Sequence, residues 1–585
     1  MWLHELTRDF ILRNPNFKYL LVIFLLASLC ALSGCQTSRW HGPALARPTI
    51  GVINGKSPHL LDAESEYRVA NRLESASDEG CVDAYFEAAK ASWFVVRDTL
   101  GCVDATSARA SQLYHSSLAK LVCTGNRFHR LDPVRGLDYR GSHGSQHVAI
   151  QYRGFLWRPE DFNQFILVGD YSSDKLLNTY RSPGLGVPLL VVRKREFDEP
   201  MRRRKQIFPA TAVLRSNSDQ SFTLEFCDPI RVAEIDIGDR SVAIHRDLSA
   251  PFAYRAATNG NSYLEAFRLP SATADNSGLY ALEPYQPGKI PVIFVHGLLS
   301  DPTAWITMVN ELQAKPDIRE RYQIWAFEYP TGEPFVRSAL TLREELAGAI
   351  SMLDPQGQDP ALSNMVVIGH SMGGLVAKLQ ITSSRTDLWD SMSNRPFDQI
   401  VGSDESLDTL ARLVFFEPQP AIKRVVFIAT PHDGAGMAQR LVGRMGSSFV
   451  QQPEDRQAAH QRLVADNPGV FSPEFRKRIP TSIDLLEPKS PSLQAINRLP
   501  ISPCVRLHSI IGYNGNPLCK PTDGVVPVES AQHPGVESEI FVNAKHTVVQ
   551  NNPASVEEVL RILRLHSSCT LYLPASKTAK VVSAR

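Results

Sequence analysis

Met365-Val366-Val367-Ile368-Gly369-His370-Ser371-Met372-Gly373-Gly374-Leu375-Val376-Ala377-Lys378-Leu379 is the stretch on which the fold turns. Met365 to Ile368 form a continuous apolar run, the pattern of a strand buried on both faces. Gly374 to Leu379 are helix-compatible, and between the two lies a Gly-x-Ser-x-Gly sequence at 369–373. A turn this tight needs glycine at its flanks, because a side chain there collides with the neighbouring strand and helix. The same turn lifts the Ser371 hydroxyl clear of the sheet. It also aims a helix N-terminus, with its unpaired N–H groups, at the place where an oxyanion would develop. Strand, serine-bearing turn and helix in this order predict a parallel α/β sheet with Ser371 as its nucleophile.

Working outward, the same texture continues on both sides. Val292-Ile293-Phe294-Val295, Ile324-Trp325-Ala326-Phe327, Val425-Val426-Phe427-Ile428 and Leu507-His508-Ser509-Ile510-Ile511 are near-continuous apolar runs. Separated by helical patterns, they predict further parallel strands of one sheet. Glu539-Ile540-Phe541-Val542 predicts the last strand and Pro553 to Leu565 a terminal helix. The stretch Gly434 to Asn497 exceeds any ordinary connection, and its Met437, Leu441, Met445 and Phe449 keep helical spacing. It reads either as a lid over an acyl pocket or as a decorating helix.

Upstream the texture differs. From about 60 to 125, Val82, Tyr85, Phe86, Ala89 and Trp93 fall at helical spacing with Asp78 as a cap; Leu113, Ser117, Leu118, Leu121 and Val122 form a second stripe. From about 145 to 270, Phe222-Thr223-Leu224-Glu225-Phe226 alternates with period two. Phe165 to Val168 and Leu189 to Val192 add short β-rich pieces between turn residues, so an antiparallel sandwich or open barrel is expected. Nothing in this segment suggests catalysis.

A chain of 585 residues is too long for one core. Its formal net charge of +1 makes no electrostatic case for nucleic acid, and the dense basic run Arg202-Arg203-Arg204-Lys205 reads as a solvated turn or an anionic-lipid contact. At the start, Arg8, Arg13 and Lys18 precede an apolar stretch from Tyr19 to Leu32, too short to span a bilayer comfortably and closed by small residues, as in a secretory signal. Leu32-Ser33-Gly34-Cys35 resembles the bacterial lipobox, which implies a diacylated Cys35 as the mature N-terminus. Gln36 in the next position points to the outer membrane, facing the periplasm. Export permits disulfides. Cys504 and Cys519 flank a Gly/Asn/Pro-rich loop and are the best pair, with some pairing among Cys81, Cys102 and Cys123 also expected. No His/Cys cluster resembles a zinc site, so no metal is implied.

Taken together, His296-Gly297 after the first apolar run, Gly369 to Gly373, Ala429-Thr430-Pro431-His432, Asp523-Gly524-Val525-Val526-Pro527 and His546 resemble the α/β-hydrolase superfamily. More narrowly, they resemble its bacterial lipase, serine esterase and GPI inositol-deacylase-like branch, over roughly the C-terminal half of the chain. Chain order in this fold is nucleophile, acid, histidine. His546, in the loop behind the last strand, is the base that Ser371 needs. Asp523 is the expected orienting carboxylate, and Asp433, directly after an earlier strand, is its rival. The oxyanion donors are the backbone N–H groups of Met372 and Leu298, the HGGG variant being absent. Trp305 is expected to pack beneath the Leu298 loop, and His370 and His432 to be structural.

The expected organisation is a signal peptide at 1–34, a linker at 35–59, a helical region at 60–140, a β-rich domain at 145–270 and a linker at 271–288. An α/β-hydrolase domain at 289–568, with the lid candidate at 434–497, and a tail at 569–585 complete it. The resemblance implies a cofactor-free, membrane-anchored carboxylesterase or lipase acting on lipid acyl esters. An acyltransferase uses the same three residues, and a non-catalytic envelope scaffold is the alternative of another class.

Overall fold

The computed structural model describes residues 57–141, 144–169, 176–193, 201, 206–258, 277–436, 453–515 and 521–569. The expected signal segment, Cys35, the Arg202 to Lys205 run, the Met437 to Phe449 stripe, Cys519 and most of the tail lie outside these residues.

Three helices open the described chain: α1 (Pro58–Ser75), α2 (Cys81–Asp98) and α3 (Ala105–Arg127). The apolar stripes anticipated for α2 and α3 are buried. Asp78 lies two residues before the cap position; its carboxylate accepts from Gly80 N (2.8 Å), and Gly80 itself occupies the N-cap. Seven strands follow: β1 (Leu131–Asp132), β2 (Gly136–Gly141), β3 (Gly144–Arg153), β4 (Phe162–Leu167), β5 (Val187–Arg193), β6 (Ile207–Ser216) and β7 (Phe222–Cys227). They form one sheet in the order β1-β2-β3-β7-β6-β5-β4, antiparallel throughout except for the β3–β7 pair. The outcome is a single open sheet with β1 and β4 at its edges rather than a sandwich.

Residues 131–141, expected within the helical region, already belong to this sheet. The helices are no separate domain either: Tyr85, Trp93, Leu118, Leu189, Leu224 and Phe226 share one core. A sheet with one apolar face must bury it against something, and here α2 and α3 cover it, with α1 packed on those two helices. On the other face Glu225 is fully buried and held by Arg153 and Arg215 from the two neighbouring strands. Cys81, Cys102 and Cys123 are free thiols rather than paired: Cys81 faces the core while Cys102 is exposed.

The C-terminal sheet contains β8 (Gly278–Ala281), β9 (Ile290–Val295), β10 (Tyr322–Glu328), β11 (Met365–His370), β12 (Ile422–Ile428), β13 (Arg506–Tyr513) and β14 (Ser538–Asn543). Its order is β8-β10-β9-β11-β12-β13-β14. All pairings are parallel except β8 with β10. Each apolar run anticipated as a strand is one. The exception is β8, which lies in the expected linker; a four-residue strand beginning at Gly278 is too short to show a periodicity.

Alternate residues of these strands feed two cores, the consequence of side chains projecting to opposite faces. Val292, Phe294, Val366, Ile368 and Val426 face helices α4 (Ile306–Gln313) and α9 (Pro553–Cys569). Ile293, Val295, Val367, Val425 and Phe427 face α5 (Phe335–Leu353), α6 (Met372–Lys378) and α7 (Asp404–Val414). The described part of the long insertion, including α8 (Glu454–Asp466), packs into this second core through Leu463, Phe471, Phe475, Leu493 and Ile496.

Two buried histidines, His508 and His566, and the partly buried His115 tie stability to pH. Arg424 Nε donates to His566 Nδ1 (3.2 Å), so the His566 ring is neutral and its Nε2–H donates to Asn364 O (2.9 Å). Burial, reinforced by Arg424, holds His508 and His566 down to about 4; burial with neighbouring His245 does the same to His115. The unfolded chain takes up these protons near 6.5, so the folded state is fully favoured above that pH and loses ground as pH falls towards 4. Each such histidine contributes about 1.4 kcal/mol per pH unit across that window. Thermal melts at pH 7 and pH 4.5 should show a marked fall in midpoint at the lower pH. An unchanged midpoint would mean that these rings are protonated within the fold.

Candidate active site

Ser371 joins β11 to α6 with φ 54° and ψ −127°. This is a left-handed conformation that a residue bearing a side chain adopts only when its surroundings over-determine it. Those surroundings are backbone: Ser371 N donates to Ile428 O (2.8 Å), and Gly374 N to Ser371 O (2.9 Å). A Cβ on Gly369 would stand 2.5 Å from Gly373 O, and one on Gly373 would overlap the carbonyls of Val295 and His296. The two glycines are therefore required by close approach of strand and helix.

At the carboxyl end of the sheet the three expected side chains meet. His546 begins a short 3-10 turn behind β14, and its Nε2 is 2.9 Å from Ser371 Oγ. Its Nδ1 is 2.7 Å from Asp523 Oδ2. Asp523 lies in the loop after β13 and is buried; its other oxygen accepts from Val525 N (2.9 Å) and Val526 N (2.8 Å). These backbone donors fix the carboxylate, and His546 N donates to Asp523 O (3.0 Å), locking the two loops together. Asp433 is elsewhere: it is exposed, and Asn497 Nδ2 donates to its Oδ1 (2.6 Å).

Met372 is the first residue of α6, where an N–H has no intrahelical acceptor. Leu298 follows β9 and faces the same turn, for Gly297 beside it would place a Cβ 3.0 Å from Ser371 Cβ. Trp305, expected beneath the Leu298 loop, is buried in the core on the α4 and α9 face, 5.0 Å from the Phe294 ring and edge-on to His370 at 6.4 Å, whereas Leu298 packs against the opposite core.

Several residues that hold the site carry no motif. Thr331 Oγ1 accepts from Leu299 N (3.3 Å), and Leu299 itself has φ 51°, so the Leu298 loop is pinned from β10's trailing turn. Tyr329 Oη donates to His296 O (2.6 Å), and its ring stacks on His296 at 4.4 Å. The Tyr329-Pro330-Thr331-Gly332 turn behind an apolar run was the available signal, since loops at that end of the sheet surround the site. His432 is buried against Phe427 and His533, and burial keeps it neutral.

His370 contributes more than packing. Burial, with the nearby His546 and His296 rings, holds it down to about 3, and its Nε2–H donates to His546 O (3.0 Å). It thereby fixes the backbone of the residue whose ring reaches Ser371. His370→Leu should lower kcat by up to about a hundredfold, the scale of an ångström's misplacement, with KM little changed. A variant with unaltered kcat would remove His370 from the positioning of His546.

Residues 292–559 match the family model described as "Alpha/beta hydrolase family". Among solved structures, the chain is similar to the lipase BlEst2 of Bacillus licheniformis in its mature form, at 13% identity over 49% of this chain and 97% of that one, TM-score 0.30. It is also similar to EstA from Clostridium botulinum, at 14% identity over 48% of this chain and 88% of that one, TM-score 0.30. No curated protein matches. The C-terminal region thus has the α/β-hydrolase fold, preceded by a helical segment and a β-rich region.

Proposed function

We propose that the protein is a serine hydrolase that cleaves carboxylic esters, lipid acyl esters in particular. The observation that carries this reading is the continuous hydrogen-bonded line from Ser371 Oγ through His546 to the buried Asp523. In the first step Ser371 Oγ attacks the ester carbonyl as His546 Nε2 takes the hydroxyl proton. Asp523 holds the imidazole with Nδ1–H towards itself and stabilises the imidazolium. The carbonyl oxygen, now an oxyanion, is met by the N–H groups of Met372 and Leu298. Collapse of the intermediate expels the alcohol, which takes the proton from His546, and leaves an acyl ester on Ser371. Water then attacks that ester by the same route and releases the carboxylate. A series of p-nitrophenyl esters of graded chain length tests the reading. Turnover rising from acetyl to longer acyl chains supports a lipid substrate, since each added methylene gains apolar burial at about 25 cal/mol per Å². Failure of a fluorophosphonate to label Ser371 would defeat the hydrolase reading itself.

The narrower resemblance to lipases, serine esterases and GPI inositol-deacylase-like enzymes, and the lipobox at Leu32 to Cys35, complete the proposal: an anchored envelope lipoprotein working at a membrane. Among the described residues no helix is long and apolar enough to cross a membrane. Anchoring would fall to the acyl chains on Cys35. One chain holds a protein marginally and two or more hold it stably, at about 0.8 kcal/mol per buried methylene. Cys35→Ser should therefore release the protein from the membrane fraction or block its processing. Mass spectrometry finding an unmodified Cys35 in membrane-bound protein would refute the anchor.

A further inference from the structure

A cavity of about 340 Å³ opens between the loop after β7 and the first residues of β9 and β10. Because the strands are parallel, this is the end of the sheet opposite Ser371. Ile230 and Arg231 of the N-terminal region form one wall, and the other walls belong to the hydrolase region. Its size falls at the lower end of the range for small-molecule sites.

Three cations face it, and they are not equivalent. Arg231 is already satisfied, by Asp228 (2.5 Å) and by Glu283 (2.9 Å). Lys289 Nζ donates to the backbone carbonyl of Arg319 (2.5 Å), and Arg319 Nη1 to that of Gln313. Among the described residues no carboxylate lies within ion-pairing distance of either group. A carbonyl accepts a hydrogen bond but cancels no charge, and burial lowers the pKa of both. Half-buried cations of this kind are costly unless an anion joins them. The rest of the wall combines an aliphatic strip, Leu282, Leu312, Ile318 and Ile324, with polar groups that include Glu283, already paired with Arg231, and the exposed Glu320. An inorganic anion would leave that surface unused, and a neutral lipid would leave the charges unmet.

We propose that this cavity binds a small aliphatic carboxylate, its head group between Lys289 and Arg319 and its chain along Leu282, Leu312 and Ile324. A ligand there touches both regions of the chain and clamps their junction, at a distance from the Ser371 site.

Calorimetric titration of the full chain with octanoate tests this. A carboxylate could also enter the Ser371 site, so the titration is repeated on the Lys289→Met/Arg319→Met protein. The expected result is a saturable site weakened about ten- to a hundredfold in that variant, the worth of charge-assisted hydrogen bonds. Ester turnover should be retained, and octanol and inorganic phosphate should not compete for the site. Equal octanoate affinity in the variant overturns the proposal, as does phosphate binding as tightly as octanoate. If the double variant does not fold, acetylation of Lys289 by acetic anhydride in the unmodified chain decides. Protection by octanoate supports the site, and unchanged labelling rejects it.

Discussion

The Ser371→Ala protein should lose ester hydrolysis by about four to six orders of magnitude while melting at or slightly above the temperature of the unmodified chain. The loss is large because, in the proposed chemistry, Ser371 Oγ is the atom that bonds to the acyl group, and no other nucleophile stands 2.9 Å from His546 Nε2 among the described residues. Stability should hold because the turn is fixed by Ile428 O, Gly369 and Gly373 rather than by the hydroxyl. Relieving a strained functional residue of its polar atom often stabilises a fold. Some hydrolysis above the background in water should remain, supplied by the oxyanion donors alone. Hydrolysis at the unmodified rate in purified Ser371→Ala protein would require another nucleophile and sink the proposed chemistry.

Asp523→Asn should cost about four orders of magnitude in kcat, and Asp433→Asn almost nothing. The geometry supplies the reason. Val525 N–H and Val526 N–H both point at Asp523 Oδ1, so an amide in its place keeps its oxygen towards them. Its NH2 group then faces His546 Nδ1, which must become an acceptor. The imidazole proton moves to Nε2 and points at Ser371 Oγ, leaving no base for the hydroxyl proton. Asp433 accepts from Asn497 at the surface, and exposed changes of this sort stay within about 0.5 kcal/mol. Parallel steady-state kinetics on the two variants separate them, and a more severe lesion at Asp433 would move the acid to the earlier strand.

Much of the C-terminal half is readable locally. Strands buried on both faces are continuous apolar runs whatever their partners, so Val292 to Val295 and Met365 to Ile368 declared themselves. The serine turn was equally plain, because the glycines it needs are demanded by contacts within a few residues of chain. The β8 strand was not legible, since four residues carry no period and its pairing with β10 lies about fifty residues away. Thr331 and Tyr329, which support the Leu298 loop, are not legible for a related reason: a threonine and a tyrosine in a turn look the same whether or not they reach a loop about thirty residues upstream.

The N-terminal region shows the other limit. Its helices and strands each carried a recognisable period, yet nothing in either period says that Trp93 and Phe226 share a core. Amphipathic faces advertise that they must be covered without naming the cover. The same holds for the carboxylate. Asp433 and Asp523 both follow a strand and precede a glycine, and only the resemblance of Asp523-Gly524-Val525-Val526-Pro527 to a family loop favours Asp523 in the sequence. What separates them is long range: Asn497, from 64 residues along the chain, engages Asp433, while the imidazole of His546 arrives beside Asp523. Periodicity and steric demand are local and were determined by the sequence alone. Which faces pair, which carboxylate meets the histidine, and where two cations come to lie without a carboxylate in ion-pairing distance depend on distances between residues far apart in the chain, and only the tertiary structure decides those.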